Sequence, residues 1–235
     1  MTPAKYLLYR LNFHKLLKKQ ADQLSKFVHY LKFAEWVSQN QDLELNDFRA
    51  PGSDYKRRYL VHEYLSNNKI LNAPVSYLEF GVADGETLFW WLDKNTNPDS
   101  RFFGFDTFTG LPEDWGNYKK GTFDLKGIKP QVADSRVSLY KGLFQETLFG
   151  FLQSFDNSRK NFILLDADLY SSTLFVLTTI APYLKTGDIL LFDEFSAQEH
   201  EFLAYMHFLK AFPHIRVRTL AAANNYACVA FEVVA

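Results

Sequence analysis

A chain of 235 residues that is 47% hydrophobic has enough apolar side chain to bury a full α/β core with one appended segment. Its formal charge of −1 gives no support to a general binder of nucleic acid or acidic polymers, and its one cysteine, Cys228 in the apolar run YACVAF, forms no internal disulfide and reads as a buried thiol. No stretch approaches about 18 continuous apolar residues, and the N-terminus lacks the apolar core and cleavage site of a signal peptide, so no membrane span and a cytoplasmic location are expected.

Residues 1 to about 40 read as helix, with Leu7, Leu8, Leu11, Leu16, Leu17, Leu24, Phe27, Val28 and Leu31 at helical spacings. The stretch is locally basic: Lys5, Arg10, Lys15, Lys18, Lys19, Lys26 and Lys32 face only Asp22 and Glu35. It reads as a helical arm whose apolar side covers the main domain or a second subunit, so a homodimer is expected; the alternative is a membrane-surface helix. The polar QDLELNDFRAPGSDY from Gln41 reads as a hinge. The expected organisation is arm and hinge over 1–50 and one domain over 51–235.

From there strands and helices alternate. A helix is expected around 55–67, a strand at 76–80, a helix at 86–94 and a strand at 101–106, followed by a loop to about 134. Next come strand 137–141, helix 145–155, strand 162–166, helix 172–184, strand 189–193 and helix 198–212. Such alternation implies a parallel sheet covered on both faces. The last two strands, 215–220 and 226–233, are too close for a parallel crossover and must form an antiparallel hairpin.

Two strand ends suggest a nucleoside site. YLEFGVADGE, from Tyr77, ends a strand in Glu79 and a glycine turn, and FFGFDTF ends the next strand in Asp106, which can hydrogen-bond both ribose hydroxyls. Gly81 and Gly85 make G-x-x-x-G, without the central glycine of a dinucleotide fingerprint. An acid at Glu79 also suits an ammonium better than a phosphate. A second constellation, LLDADLYSST and LLFDEF, places Asp166, Asp168, Asp193 and Glu194 at the ends of two later strands. If those strands are neighbours, such a cluster is costly unless a cation, a proton or solvent relieves it. Hard oxygen ligands favour Mg²⁺, Mn²⁺ or Ca²⁺; the competing reading has Asp168, Ser171 or Ser172 capping a helix.

In their order, YLEFGVADGETL, GFDTFTGLPEDW, YKGLFQETL, LLDADLYSST and TGDILLFDEF resemble the class I S-adenosylmethionine-dependent methyltransferases of the macrocin O-methyltransferase group, over about half the chain. The resemblance implies a Rossmann-like, seven-stranded sheet of order 3-2-1-4-5-7-6 with strand 7 antiparallel. It places Glu79, Gly81 and Gly85 around the methionine part of the cofactor, Asp106 and Thr107 at the ribose, and Gly142 and Leu143 at the adenine. Phe80, Thr87 and Asp166 complete the cofactor set. Asp166, Asp193 and Glu194 match positions that hold Mg²⁺ in metal-dependent relatives. Leu169 stands where catechol-type relatives carry a lysine base, leaving Asp168 or a histidine, His200 or His207, for that role beside Asp166. Tyr170 and the loop 111–118 are expected to cover the site. The implied acceptor is a small-molecule hydroxyl on a sugar, polyol or phenol. The rival readings are an NAD-dependent oxidoreductase and a noncatalytic nucleoside-binding partner protein.

Overall fold

The computed structural model describes residues 2–49, 52 and 54–235, without the side chains of Phe13, His14 and Leu16; the expected apolar Leu16 and the hinge proline Pro51 fall outside these. The chain divides into two compact units, Met1–Gln39 and Asn40–Ala235. In the first, the single helix expected over 1–40 is two. α1 (Pro3–Arg10) begins at Thr2, whose hydroxyl accepts the Lys5 N–H. The chain then breaks because Asn12 takes φ 51°, a left-handed conformation that asparagine tolerates, and α2 runs Phe13–Gln39. Leu7, Leu8, Leu11, Leu17, Leu24, Phe27 and Leu31 are all exposed.

The second unit is built on an eight-stranded sheet. β1 (Leu45–Asn46) precedes a short 3₁₀ turn, Tyr55–Arg58, and α3 (Tyr59–Leu65). β2 (Val75–Phe80), α4 (Glu86–Lys94), β3 (Arg101–Asp106), β4 (Val137–Lys141) and α5 (Phe144–Leu152) follow. The chain continues through β5 (Lys160–Leu165), α6 (Tyr170–Ile180), β6 (Ile189–Phe192), α7 (Glu201–Ala211), β7 (Val217–Ala223) and β8 (Cys228–Val233). The sheet order is β1-β7-β8-β6-β5-β2-β3-β4. Numbered from β2, this is the expected 3-2-1-4-5-7-6 with one strand more than seven. The addition is β1, parallel to β7 with Leu45 opposite Ala221. β8 is antiparallel to both β6 and β7, and the hairpin turns through Asn224, Asn225 and Tyr226, all at positive φ.

The expected hinge belongs to this unit through Asp47. The Tyr226 hydroxyl donates to the Asn40 carbonyl at 2.9 Å and accepts from Asn46 Nδ2 at 2.9 Å. Arg57 Nε donates to Asp47 Oδ2 at 2.6 Å, and the Asp47 N–H continues the pairing with the Ala222 carbonyl. Polar composition here reflects edge pairing and ion pairing, not a free linker.

β2, central and flanked by β3 and β5, is buried at every position, as a strand covered on both faces must be. Tyr77 on it packs against Trp91 of α4, Phe102 of β3 and Phe162 of β5. The fully buried rings fix the height of the strand ends, and those ends carry the site.

Candidate active site

The carboxyl ends of β2, β3, β5 and β6 open onto one cavity of about 710 Å³, a volume suited to a small-molecule ligand. Its floor begins at Gly81, where φ is 101° and a Cβ would lie 1.8 Å from the Asp166 carbonyl oxygen. Only glycine lets the β2 turn pass so close to the end of β5. Asp106, ending β3, braces this turn. Its Oδ2 accepts the Ala83 N–H at 2.8 Å and its Oδ1 the Phe108 N–H at 2.6 Å. Ala83 and Phe108 both sit at positive φ, so one carboxylate holds two strained turns while still lining the cavity.

The roof is the segment after β3. Trp115 and Tyr118 exchange both backbone hydrogen bonds and stack at 5.2 Å, and Phe123 lies 5.4 Å from Tyr118. Ser171 Oγ of α6 donates to Glu113 Oε1 at 2.6 Å, which ties the roof to the wall. Tyr170, expected to cover the site, instead pairs its hydroxyl with His207 Nδ1 at 2.8 Å and is not among the lining residues.

Acids crowd the far wall, where Asp166, Asp168, Asp193 and Glu194 all line the cavity. Burial, then Asp193 and Asp168, push the Asp166 pKa well above the ordinary range. Burial, then the charges of Glu194 and Asp193, lift Asp168 to about 7. Burial followed by Asp193 lifts Glu194 to about 7 as well. Asp168 does not cap α6, whose cap position is Leu169 without a side-chain bond. It takes φ 58° instead, between β5 and the helix.

The counter-charge comes from Arg58, which is only 4% exposed. Its Nη1 lies 2.8 Å from Asp193 Oδ2 and 3.5 Å from Asp166 Oδ2, and its Nη2 donates to Thr87 Oγ1 at 3.1 Å. The Tyr55 ring covers it, with 3.9 Å from Cζ to the ring centre. Burial works against this charge, but Asp193 and Asp166 outweigh it and the guanidinium stays ionised.

Of the expected site residues, Gly81, Asp106, Thr107, Leu143, Asp166, Asp168, Asp193 and Glu194 line the cavity; Glu79, Phe80, Gly85, Thr87, Gly142 and His200 do not. Phe80 is a core ring stacked on Phe105, Thr87 accepts from Arg58, and His200 packs edge-on to Trp115. Glu79 is buried beneath the turn. It accepts the Tyr77 hydroxyl at 2.6 Å, keeps Oε1 without a hydrogen-bond partner, and is lifted by burial to about 8. Tyr55, Arg58, Phe123 and Ser171 were not legible as site residues, whereas Glu113 belongs to the loop expected to cover the site. The one available clue was the acid cluster itself, which demanded a cation from somewhere.

The expected Mg²⁺ set does not fit these side chains. Arg58 holds Asp193 Oδ2, while Oδ1 is buried without a hydrogen-bond partner. Among the described residues, the one trio of ligand-type groups within 4.8 Å of one another is His62, Asp193 and Cys228, without Asp166 or Glu194. That trio is not a cation site either. His62 Nδ1 accepts from Trp91 Nε1 at 2.9 Å, and burial, then Arg58, holds the ring neutral with a pKa near about 3. The ring proton therefore sits on Nε2, where a metal would need a lone pair.

A family model described as a methyltransferase domain matches residues 78–195. Among solved structures, the chain is similar to CalS11, a calicheamicin methyltransferase, at 26% identity over 74% of this chain and 78% of that one, with a TM-score of 0.58. A second CalS11 structure, without ligand and described as a TDP-rhamnose 3'-O-methyltransferase, matches at 26% identity over the same shares with a TM-score of 0.54. The O-methyltransferase NovP shares the fold, at 18% identity over 76% of this chain and 78% of that one, with a TM-score of 0.55. No curated protein matches.

Proposed function

Since this chain belongs to the methyltransferase-domain family, we propose that it moves the methyl group of S-adenosylmethionine onto a hydroxyl of a small molecule. The observation that carries this reading is the single cavity running from the glycine turn and Asp106 to Asp168 beneath an aromatic roof. Among its described lining residues are six acids and no lysine or arginine. Such a lining suits a cationic nucleoside and offers nothing to the pyrophosphate of a dinucleotide. CalS11, by its description, methylates a sugar hydroxyl, which supports a hydroxyl acceptor here.

S-adenosylmethionine, when bound, supplies an electrophilic methyl group on a sulfonium. Gly81 and Asp106 take its nucleoside, Asp106 through the carboxylate that already braces the turn. Leu143 and Phe144 flank the nucleoside. Trp115 and Tyr118 close over a flat or ring-shaped acceptor and exclude water, and positioning of this kind lowers the barrier by about 7–11 kcal/mol in favourable cases. With the cofactor held there, the acceptor oxygen would take the methyl group as the carbon–sulfur bond breaks and its electron pair stays on sulfur. The hydroxyl proton passes to Asp168, whose pKa of about 7 leaves a large fraction ionised at neutral pH.

The test is calorimetry with S-adenosylhomocysteine, followed by transfer from labelled cofactor to a panel of sugars, polyols and phenols. Binding is expected, and Asp106→Ala should weaken it by about 1.5–3 kcal/mol, the range for a hydrogen bond to a charged group. Heat with NAD and none with S-adenosylhomocysteine would reject the reading.

A further inference from the structure

We propose that Arg58 occupies the role a divalent ion plays in metal-assisted transferases, so that the acidic wall of this site works without Mg²⁺ or Mn²⁺. The inference rests on the methyltransferase reading for what the wall does, but its evidence is the wall itself. Asp166 and Asp193, the two aspartates of the expected metal set, converge on one guanidinium. Its neighbours fix that guanidinium, although Nε keeps no hydrogen-bond partner. The 3₁₀ turn Tyr55–Arg58 delivers it, Thr87 accepts its second nitrogen, and the Tyr55 ring lies against its face.

A divalent ion on these two carboxylates would sit beside the guanidinium and compete with it for the oxygens it holds, Asp193 Oδ2 above all. At separations of a few ångströms the Arg58 charge would offset roughly half of what a divalent ion gains from Asp166 and Asp193. Arginine suits the monovalent case, since its planar fork bridges two carboxylates and stays charged when buried. The metal-bound route to acceptor deprotonation is thereby disfavoured, and the task falls to a carboxylate that Arg58 does not touch. Asp168 is that group: it lines the cavity, and the ion pairs of Arg58 go to Asp166 and Asp193 instead.

The experiment titrates Mn²⁺ into the full chain, with and without S-adenosylhomocysteine, and reads free ion by electron paramagnetic resonance. The native protein is expected to hold no stoichiometric Mn²⁺, and its turnover should survive chelation. Arg58→Ala uncovers the Asp166 and Asp193 oxygens and should raise Mn²⁺ affinity by about tenfold or more, whereas Arg58→Lys, keeping the charge, should stay like the native chain. If Arg58→Ala does not fold, the native and Arg58→Lys titrations decide. One Mn²⁺ per native chain, or turnover lost on chelation and restored by Mg²⁺, overturns the proposal. Failure of S-adenosylhomocysteine to bind would count against the methyltransferase reading alone, because the Mn²⁺ titration is read equally without it.

Discussion

Burial lifts Asp168 in the cavity and Glu79 beneath it toward neutrality, and each gives a measurable pH dependence. Asp168 is lifted to about 7 by burial and by the neighbouring Glu194 and Asp193 charges. As a base it works only when ionised, so turnover should rise with pH through about 7 and level off above it. Asp168→Asn should lose that rise and about 10²–10⁴ of the rate, the usual contribution of a positioned base, as measured by labelled-methyl transfer across pH 5–9. Glu79 is lifted to about 8, chiefly by burial. The folded chain therefore keeps a proton that the unfolded chain releases above its ordinary value near 4.5. Stability from this residue is full below that value and is lost as pH climbs through about 8. Urea midpoints should fall over this window in the native chain and fall less in Glu79→Gln. Arg58 belongs to this scale too, and explains a gap in what the sequence disclosed. Arg57 and Arg58 are adjacent and chemically alike, yet Arg57 turns to Asp47 and Arg58 to Asp193, 135 positions away. No local pattern distinguishes them; only the direction of a 3₁₀ turn does.

At the scale of elements, the strands that bear the site were legible because each is an apolar run ending in an acid or a glycine. β2, β3, β5 and β6 all satisfy that description. β1 was not legible, since two residues in a polar stretch carry no periodicity, and their pairing depends on β7. The roof was legible as a loop but not as an ordered one, because its bridges join Trp115 to Tyr118 and Thr109 to Asp124 without a strand pattern. Glycines make the sharpest test at this scale. Gly81→Ala would drive a Cβ to 1.8 Å from the Asp166 carbonyl at a φ of 101°. It should destabilise the chain by more than about 3 kcal/mol in denaturant unfolding and abolish S-adenosylhomocysteine binding. Gly150 in α5 has nothing within 4 Å of a built Cβ. Gly150→Ala should therefore stabilise the same chain by about 0.4–1 kcal/mol through helix propensity and a less free unfolded state.

At the scale of the molecule, the topology imposes a timetable on synthesis. β1 is the first strand of the sheet to leave the ribosome, but Leu45 finds its partner only at Ala221, and the Asn40 carbonyl waits for the Tyr226 hydroxyl. β6 likewise lacks its neighbour on one side until β8, ending at Val233, is made. A nascent chain released short of β7 should thus expose the open flank of β6 and recruit chaperones. Truncation after Phe212 should yield aggregates, whereas the full chain should gain protease resistance abruptly once its last strand clears the exit tunnel. Long-range closure of this kind slows folding because loop entropy is lost before pairing rewards it. The tyrosine–asparagine clasp between the two ends of this unit makes closure of the sheet wait for the synthesis of its last hairpin.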